Sequence, residues 1–409
     1  MISEIILAAG IDGLAYWEHG GTIDDFLDYE LSPEQISSRR TISSAIFSYF
    51  RYKKSIDQAI TNYTKTKIQP YVRRLLCIAT VQICIQTGIE PSIACDIAVG
   101  LAKRKKDKKV AGFVNAVLRK IAENRLNNLF TEQELPDLLI SRWKIMFGEN
   151  EYRTLIDSLN YKNEITFRLR NKNKIELVNS FASKIENEKL NVFDFYKTNE
   201  QEALFSSGLL NDGSVYIQDI ATSLSIKLVL KNVYNVKTVL DLCAAPGGKT
   251  LMLSDAFNNI SLTATDKSEF RLNRLKDNVA IYKTKNITVV SPDKINNLLL
   301  TSKYDLVFLD VPCSNSGVYR KRPDAVWKFS ESNLKEITEL QLAILQKSKV
   351  AAASKGYILY STCSIDSDEN KNLIAKFVTM NPEFKIVEDE LLLPSVNHDG
   401  AYAALLQKI

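Results

Sequence analysis

Hydrophobic residues in the first part of the chain recur at intervals of three and four positions, the spacing of a helix with one buried face. Five segments show this spacing, and they cover residues 41–50, 56–63, 72–87, 92–102 and 112–122. The alternation of apolar and polar residues that indicates strands is nearly absent from this part of the chain. The pattern therefore predicts an all-α domain over residues 1–124.

The pattern changes after this domain. Residues 125–207 are mixed, with a strand predicted at 164–169 and a helix at 174–185. This stretch is predicted to form a small α+β connector.

From residue 208 onward, short apolar runs alternate with helical segments. The apolar runs are predicted strands at 236–242, 261–265, 287–290, 304–309 and 357–360, and helices are predicted from Gly248, from Ser268 and over 334–354. Such alternation is typical of a doubly wound parallel sheet. Residues 208–409 are therefore predicted to be an α/β, Rossmann-like domain, which makes the protein multidomain.

Composition and cysteine usage restrict the class of protein. The 409 residues are 45% hydrophobic and 25% charged, as in ordinary globular proteins. No apolar run approaches the roughly 20 residues that cross a bilayer, and the N-terminal residues lack a signal-peptide pattern, so we expect a cytoplasmic protein. The six cysteines are scattered and are expected to be reduced, and two histidines exclude a multi-histidine metal site.

Candidate chemistry lies at the ends of three predicted strands. Asp310-Val-Pro-Cys313-Ser follows the strand at 304–309, and Ser361-Thr-Cys363-Ser follows the strand at 357–360. A glycine-rich loop follows the strand at 236–242, and its residues are Cys243, Ala244, Ala245, Pro246, Gly247, Gly248 and Lys249. In open α/β sheets the carboxyl ends of strands meet at one crevice, so these three segments are expected to form one site.

Two kinds of ligand suit the glycine-rich loop. Gly248-Lys249-Thr250 imitates the end of a phosphate-binding loop, but that motif requires glycine where this chain has Cys243, so an NTPase is the weaker alternative. A nucleoside suits the loop better, because Asp266 ends the second strand, where a carboxylate can accept both hydroxyls of a ribose. Asp293 lies just past the third strand, where it could contact an adenine amino group. Either aspartate could also be a plain turn or helix-capping residue.

Together the three motifs resemble the Nop2/Sun family of RNA cytosine-C5 methyltransferases, which use S-adenosylmethionine. Tyr216-Ile-Gln-Asp219, Gly317-Val318 and Arg322-Pro-Asp with Trp327 are also similar to that family. The helical start, including residues 73–76 and 112–120, resembles the NusB-type RNA-binding domain of bacterial enzymes that methylate 16S rRNA. The chain departs from the family pattern in three places, which are Val311, Ser291-Pro292 and Ala401.

The resemblance implies a class I methyltransferase fold and a role for each motif. Cys363 would add to cytosine C6, Asp310 would hydrogen-bond N3, Lys249 would supply positive charge, and Cys313 would serve the release of the product. S-adenosylmethionine would be held by the loop 243–249 with Asp266, Asp293 and Asp310. No metal is required. We expect a monomer that acts on 16S rRNA, with the connector at 125–207 contributing to RNA binding. The alternative from another class is a non-catalytic RNA-binding or ribosome-assembly factor.

The positive charge of the chain is concentrated although the net charge is only +5. A dense basic run occupies residues 103–109, and a second one, at 320–322, follows the first cysteine motif. Such runs can contact RNA phosphates, although a solvated helix face is the alternative interpretation. The residues expected to contact RNA are Lys103, Arg104, Lys105, Lys106, Arg320 and Arg322.

Overall fold

The computed structural model describes residues 2–64, 67–124, 132–161, 164–257, 259–301 and 303–409. The start of the predicted connector, residues 125–131, lies outside the described residues. The chain forms two compact units, one made of Met1–Arg142 with Arg322–Lys328, and the other of Trp143–Lys321 with Phe329–Ile409. Among the described helices, none is long and apolar enough to span a membrane.

The first unit is helical. Its helices are α1 (Ile2–Glu18), α2 (Ile23–Asp25), α3 (Pro33–Ile36), α4 (Arg39–Arg51), α5 (Lys53–Asn62), α6 (Pro70–Cys84), α7 (Pro91–Lys105) and α8 (Lys108–Glu123). A π-helical turn, Phe26–Glu30, follows α2. The five helices predicted from the sequence are confirmed as α4 to α8. Their apolar faces meet in one core, to which α6 contributes Leu75, Leu76 and Ile78.

Helix α1 was not predicted, because its sequence lacks a polar face of the usual kind. Ile6, Leu7 and Ile11 are all buried, and so are residues that lie between them around the helix. Helices that are apolar on most sides are central elements of a core. Gly13 permits close packing here, since a Cβ atom on it would lie 2.7 Å from the Cδ1 of Ile46.

The second unit begins within a long helix and continues into a small antiparallel sheet. Its first elements are α9 (Asp137–Asn160), β1 (Ile165–Leu169), α10 (Ile175–Asn179), β2 (Ser183–Lys184), β3 (Phe195–Thr198), α11 (Gln201–Ser206) and β4 (Val215–Ile217). The strands are ordered β2-β3-β1-β4. The strand predicted at 164–169 is confirmed, but the helix predicted at 174–185 is wrong beyond Asn179, where the chain turns into β2. Helix α9 was not predicted, because its pattern is interrupted at Gly148, which has a φ of 79°.

A larger sheet of seven strands follows. Its strands are β5 (Thr238–Asp241), β6 (Ser261–Ala264), β7 (Ile287–Val289), β8 (Tyr304–Asp310), β9 (Ala352–Thr362), β10 (Phe384–Leu392) and β11 (Ala401–Lys408). The helices are α12 (Ser223–Asn232), α13 (Gly248–Ala256), α14 (Glu269–Ile281), α15 (Ile295–Thr301), α16 (Pro323–Val326), α17 (Glu331–Ser348) and α18 (Lys371–Met380). The strand order is β10-β11-β9-β8-β5-β6-β7.

The five predicted strands, β5 to β9, are parallel, as expected. Two further strands that were not predicted make the sheet mixed, because β11 runs antiparallel to β9 and β10 runs antiparallel to β11. Side chains of the central strands alternate between two cores. On β8, Phe308 packs into one core, whereas Val307 and Leu309 pack into the other. This alternation shows that the sheet is covered on both faces.

The segment Arg322–Lys328, which includes α16, belongs to the helical unit although it lies in the sequence between the two cysteine motifs. The indole Nε1 of Trp327 donates a hydrogen bond of 2.7 Å to the carbonyl of Phe50. The Lys328 ammonium donates to the carbonyl of Gly21 at 2.6 Å. These contacts anchor the segment to helical residues from the first part of the chain.

Candidate active site

The strand order of the large sheet reverses between β5 and β8. From β5 the chain proceeds outward through β6 and β7, whereas β8 and β9 lie on the other side of β5. In open α/β sheets, ligands bind in the crevice outside the carboxyl ends of the strands at such a switch point. The glycine-rich loop follows β5 and the Cys313 motif follows β8, so both predicted motifs border this crevice.

The glycine-rich loop closes tightly onto α13. Gly247 has a φ of 109°, which favours glycine, and it caps the helix. A Cβ atom on Gly247 would lie 2.8 Å from the Cδ1 of Leu275. Behind the loop, Asp241 accepts a hydrogen bond of 2.7 Å from the hydroxyl of Thr250, and burial raises the pKa of Asp241 to about 7. Since this hydroxyl is buried and directed at Asp241, it is not placed to ligate a nucleotide-bound magnesium ion, which disfavours the NTPase alternative.

Asp266 and Asp293 differ in their surroundings. Asp266 is buried directly after β6 and accepts a hydrogen bond of 3.1 Å from the amide of Ser268, with Arg271 at 3.7 Å. The loop lies beside it, because the amide of Ala244 donates to the carbonyl of Thr265. Asp293 lies in a 3₁₀ turn after β7 and is exposed. Burial of Cys243 raises its pKa, as expected for a thiol that contributes mainly backbone to the loop.

Lys249 joins two neighbouring strand ends. Asp310 and Ser361 are partners in the register of β8 and β9. The Lys249 ammonium donates hydrogen bonds to the carboxylate of Asp310 and, at 3.1 Å, to the hydroxyl of Ser361. This contact fixes a positive and a negative charge at the point where both cysteine motifs begin.

The two predicted cysteines are in direct contact. The sulfur atoms of Cys313 and Cys363 are 3.1 Å apart, and both residues are free thiols. The Cys363 sulfur also lies 3.2 Å from the side-chain oxygen of Asn315. The hydrogen bond with Cys363, together with burial, raises the pKa of Cys313 well above its ordinary value. Cys313 therefore stays protonated and can donate its S–H to the neighbouring sulfur.

A buried carboxylate that sequence reasoning missed joins the two cysteine loops. Glu369 is fully buried and accepts hydrogen bonds from the hydroxyls of Ser314 and Ser364. Its other oxygen accepts from the amide of Ser314 and from the Gln341 side chain, each at 2.9 Å. Burial raises the pKa of Glu369. The only signal in the sequence was an acidic residue shortly after the second motif, which is an ordinary position for a helix cap.

A second polar cluster holds the chain after the Cys313 loop. The Lys321 ammonium lies 2.6 Å from Asp219 and 2.7 Å from Asp399, and burial with the nearby Asp219 charge raises the pKa of Asp399 to about 6. Arg320 is 8% exposed and donates to the carbonyls of Ser395 and Val396 at 3.1 Å each. Its burial favours a role in holding this loop rather than in contacting RNA.

The other residues predicted to contact RNA belong to the helical unit. Lys103, Arg104 and Lys105 form the last turn of α7, and Lys106 follows directly; all four are exposed. Arg104 pairs with Glu4. Arg322 forms an ion pair with Asp24 and remains partly exposed. Among the described residues, no group of His, Cys, Asp and Glu could hold a metal ion.

The fold and the crevice define a class I methyltransferase domain, in which a glycine-rich loop follows the first strand and acidic residues end the strands beside it. Residues 228–404 match the family described as 16S rRNA methyltransferase RsmB/F, and residues 11–123 match the NusB family. The chain thus carries an RsmB/F-type methyltransferase domain, preceded by a NusB-family domain.

Two relatives match most of the chain. The probable ribosomal RNA small subunit methyltransferase B of Bacillus subtilis (strain 168) is 25% identical over 366 residues, covering 85% of this chain and 81% of that protein. Ribosomal RNA small subunit methyltransferase B of Pasteurella multocida (strain Pm70) is 28% identical over 383 residues, covering 87% of this chain and 83% of that protein.

Solved structures share the fold. The crystal structure of PH0851 matches 100% of this chain and 99% of its own, with a TM-score of 0.78 and 22% identity. The structure of NSun6 from Pyrococcus horikoshii with SFG matches 67% of this chain and 98% of its own, with a TM-score of 0.56 and 17% identity.

Proposed function

We propose that this protein transfers a methyl group from S-adenosylmethionine to C5 of a cytidine in 16S rRNA through a covalent adduct with Cys363. The observation that carries the proposal is the contact between the sulfurs of Cys363 and Cys313, 3.1 Å apart beside the switch point of the sheet. The match of residues 228–404 to the 16S rRNA methyltransferase RsmB/F model and the names of the relatives support rRNA as the substrate.

The crevice residues fit the proposed methyl donor. A nucleoside needs backbone groups that it can approach closely and a carboxylate for its ribose hydroxyls. The small residues from Ala244 to Gly248 supply the former, and the buried carboxylate of Asp266 supplies the latter. When bound, S-adenosylmethionine supplies an electrophilic methyl group. Asp310 lies at the same edge of the sheet, so its negative charge favours a cationic sulfonium group nearby.

Cys363 would act on cytosine C6, because unmodified C5 is a poor nucleophile. As its sulfur bonds to C6, the C5–C6 π pair becomes a C4–C5 π bond and the C4–N3 π pair moves to N3, which takes up one proton for the one that the Cys363 thiol loses. The enamine carbon C5 then takes the methyl group as the bond between that group and the donor sulfur breaks. Asp310 would hydrogen-bond protonated N3 and so stabilise this electron shift. Cys313 favours the attacking thiolate, because its S–H can donate to the sulfur of Cys363.

Release of the product requires that the bond between the Cys363 sulfur and C6 be broken. The proton on methylated C5 leaves, the C6–S bond breaks, and its electron pair returns to Cys363. We assign the acceptance of this proton to Cys313, whose sulfur is adjacent to the attacking sulfur. For this step Cys313 must first give up its own S–H proton to solvent, and because its pKa lies well above the ordinary value, the resulting thiolate would bind the C5 proton strongly.

The target base must leave its stack before this chemistry can occur, so much of the RNA affinity must come from contacts outside the crevice. We assign phosphate contacts to the exposed run from Lys103 to Lys106, at the end of α7. Such contacts depend on opposite charge and do not distinguish one base from another.

The proposal is tested with transcribed 16S rRNA and S-adenosylmethionine labelled in its methyl group. The expected result is label in the RNA and one cytidine that resists bisulfite conversion, with neither signal for Cys363→Ala. Cys84→Ala, which changes a half-buried thiol of the helical unit, is the matched control and should retain activity. Label on another atom of the RNA, or full activity of Cys363→Ala, would overturn the proposal.

A further inference from the structure

A second cavity, separate from the crevice, lies in the unit that contains the large sheet. It has a volume of about 620 Å³ and is bordered by β1, by the chain around β2 and β3, and by the C-terminal end of α13. This volume is within the range of pockets that hold small ligands. Its charged lining residues are Arg168, Arg170, Lys172, Lys184, Asp194 and Asp255.

Two arginines form the deep part of the cavity. Arg168 and Arg170 lie two positions apart on β1 and just after it, so they share one face. One terminal nitrogen of Arg168 lies 2.5 Å from Asp255, and Arg170 makes two hydrogen bonds to the same carboxylate at 2.6 and 2.7 Å. One carboxylate therefore balances two guanidinium groups, which leaves one positive charge unbalanced.

The guanidinium group of Arg168 makes fewer hydrogen bonds than it has donors. It is only 1% exposed, yet its Nε and one of its terminal nitrogens have no hydrogen-bond partner. The guanidinium also stacks over the Phe193 ring, with 4.8 Å between them. A buried charged donor without a partner is costly, and native proteins rarely leave one unless a ligand or water meets it. These nitrogens are enclosed by protein, so they add positive charge beneath the cavity rather than direct contacts to a ligand in it.

The rim of the cavity is also basic. Lys172 and Lys184 lie 3.9 and 2.8 Å from Asp194, and their side chains are 85% and 46% exposed. Four cationic side chains face two carboxylates, so the cavity keeps two positive charges. Deep guanidinium groups with flexible lysines at the rim are suited to a phosphate group.

We propose that this cavity binds a phosphate of the substrate RNA, an inference that rests on the proposed function for the identity of the RNA. Helix α13 runs from the glycine-rich loop to the cavity, and its 9 residues span about 13 Å. The phosphate would therefore belong to a nucleotide away from the target cytidine. Binding at this distance raises the affinity for the RNA and leaves the chemistry at Cys363 unchanged.

The first test uses the exposed rim, where substitutions do not disturb a core. The double variant Lys172→Gln/Lys184→Gln is compared with Lys231→Gln, an exposed lysine of α12 that also pairs with a carboxylate. Binding of transcribed 16S rRNA is measured over a series of salt concentrations. The slope of log affinity against log salt should fall by roughly 0.7–0.9 for each phosphate that the variant no longer neutralises. The control should keep the wild-type slope.

Arg170→Gln provides the second variant, because it removes one of the two guanidinium groups that share Asp255 and leaves Arg168 to balance that carboxylate. It should weaken RNA binding several-fold, with an unchanged single-turnover rate at saturating RNA. Binding of inorganic phosphate, measured by calorimetry, distinguishes the source of the ligand. If phosphate binding disappears in Arg170→Gln while the salt slope of the rim variant matches wild type, the cavity serves a free phosphate and the RNA proposal fails.

These readouts separate this inference from the proposed function. RNA affinity and its salt slope are measured without S-adenosylmethionine, so they do not depend on methyl transfer. A wild-type protein that binds the RNA with the expected slopes but transfers no methyl group would contradict the proposed function alone. Equal slopes for wild type and the rim variant, with normal methylation, would overturn the cavity proposal alone.

Discussion

The amide of Gly400 donates a hydrogen bond of 2.8 Å to the carbonyl of Gly317, and the two backbones are in direct contact. Gly317 in turn donates to the carbonyl of Cys363 at 2.9 Å. The segment after Cys313 is thus held between the second cysteine and the start of β11. No side chain fits there, since a Cβ atom on Gly317 would lie 2.5 Å from the carbonyl oxygen of Cys363.

Gly317→Ala should therefore displace the Cys363 loop. We expect methyl transfer to fall by at least tenfold and the free energy of unfolding to fall by about 1–3 kcal/mol, as for overpacking in a core. Thermal unfolding and single-turnover methylation measure the two effects. Gly112→Ala is the control, because a Cβ atom there meets open space on a helix, so stability should rise or stay the same. Normal activity of Gly317→Ala would contradict the close packing.

Glu369→Ala should separate the two cysteine loops, because it leaves the Ser314 amide without an acceptor and removes one of the two acceptors of the Gln341 side chain, the other being the Pro312 carbonyl. We expect a loss of stability of about 1–3 kcal/mol and a lower single-turnover rate at unchanged RNA affinity. Glu369→Gln should restore part of the rate, since an amide can keep one acceptor and the serine hydroxyls can rotate. Glu339→Ala, at an exposed site on α17, is the matched control. A change in RNA affinity with a normal rate would argue against this positioning role.

The two thiols should behave differently towards the RNA. Cys363→Ala cannot form the bond to C6 and should give no adduct. Cys313→Ala should form the adduct and release it slowly, which leaves a protein–RNA band on denaturing gels. If Cys363→Ala were the variant that accumulates the band, the assigned roles would be reversed.

Asp266→Asn should weaken S-adenosylmethionine binding by about 1–3 kcal/mol, because the ribose hydroxyls would lose a charged acceptor. Asp277→Asn changes an exposed carboxylate on α14 and should leave binding unchanged. Calorimetric titration with S-adenosylmethionine, and separately with Mg-ATP, provides the measurement. Tight binding of Mg-ATP with no binding of S-adenosylmethionine would favour an NTPase instead.

The buried carboxylate of Asp241 should make stability depend on pH. Burial raises its pKa in the folded protein from 3.8 to about 7. Folding therefore favours the protonated form of Asp241. The contribution of this group to the free energy of unfolding is complete below pH 4 and is lost as the pH rises to 7. Between pH 5 and pH 8 this group should reduce the free energy of unfolding by about 2–3 kcal/mol.

Asp241→Asn isolates this effect from other titrating groups such as Asp399. Asparagine can still accept from the amide of Cys243, and its amide can donate to the hydroxyl of Thr250. The free energy of unfolding of the variant should thus fall less between pH 5 and pH 8 than that of the wild type. Parallel pH curves for the two proteins would show that Asp241 titrates normally.

The most accurate predictions from the sequence concern segments whose position depends on one local motif. The glycine-rich loop and both cysteine motifs directly follow strong apolar runs, so their place at one sheet edge followed from the strand pattern alone. Edge strand β10 was missed, since Lys385, Glu388 and Asp389 interrupt its apolar residues. Edge strands are commonly charged, which protects them from pairing with other chains.

Contacts between distant segments could not be predicted at all. The pattern marks Glu369 as a polar residue before a helix, and only the fold shows that it is buried between Ser314 and Ser364. The same holds for Arg320, whose basic character suggested RNA and whose side chain is buried against backbone carbonyls. A single sequence gives charge and spacing, and it does not give the partners of a side chain.

The segment Arg322–Lys328 sets a limit on how this protein can be divided. A gene fragment that begins at Trp143 would encode the whole large sheet, but it would also encode Trp327 without the Phe50 carbonyl that its indole binds. A fragment that ends at Arg142 would lack that indole on its own surface. The chain enters the helical unit twice, so separate expression of the two halves would remove part of the packing of the helical unit.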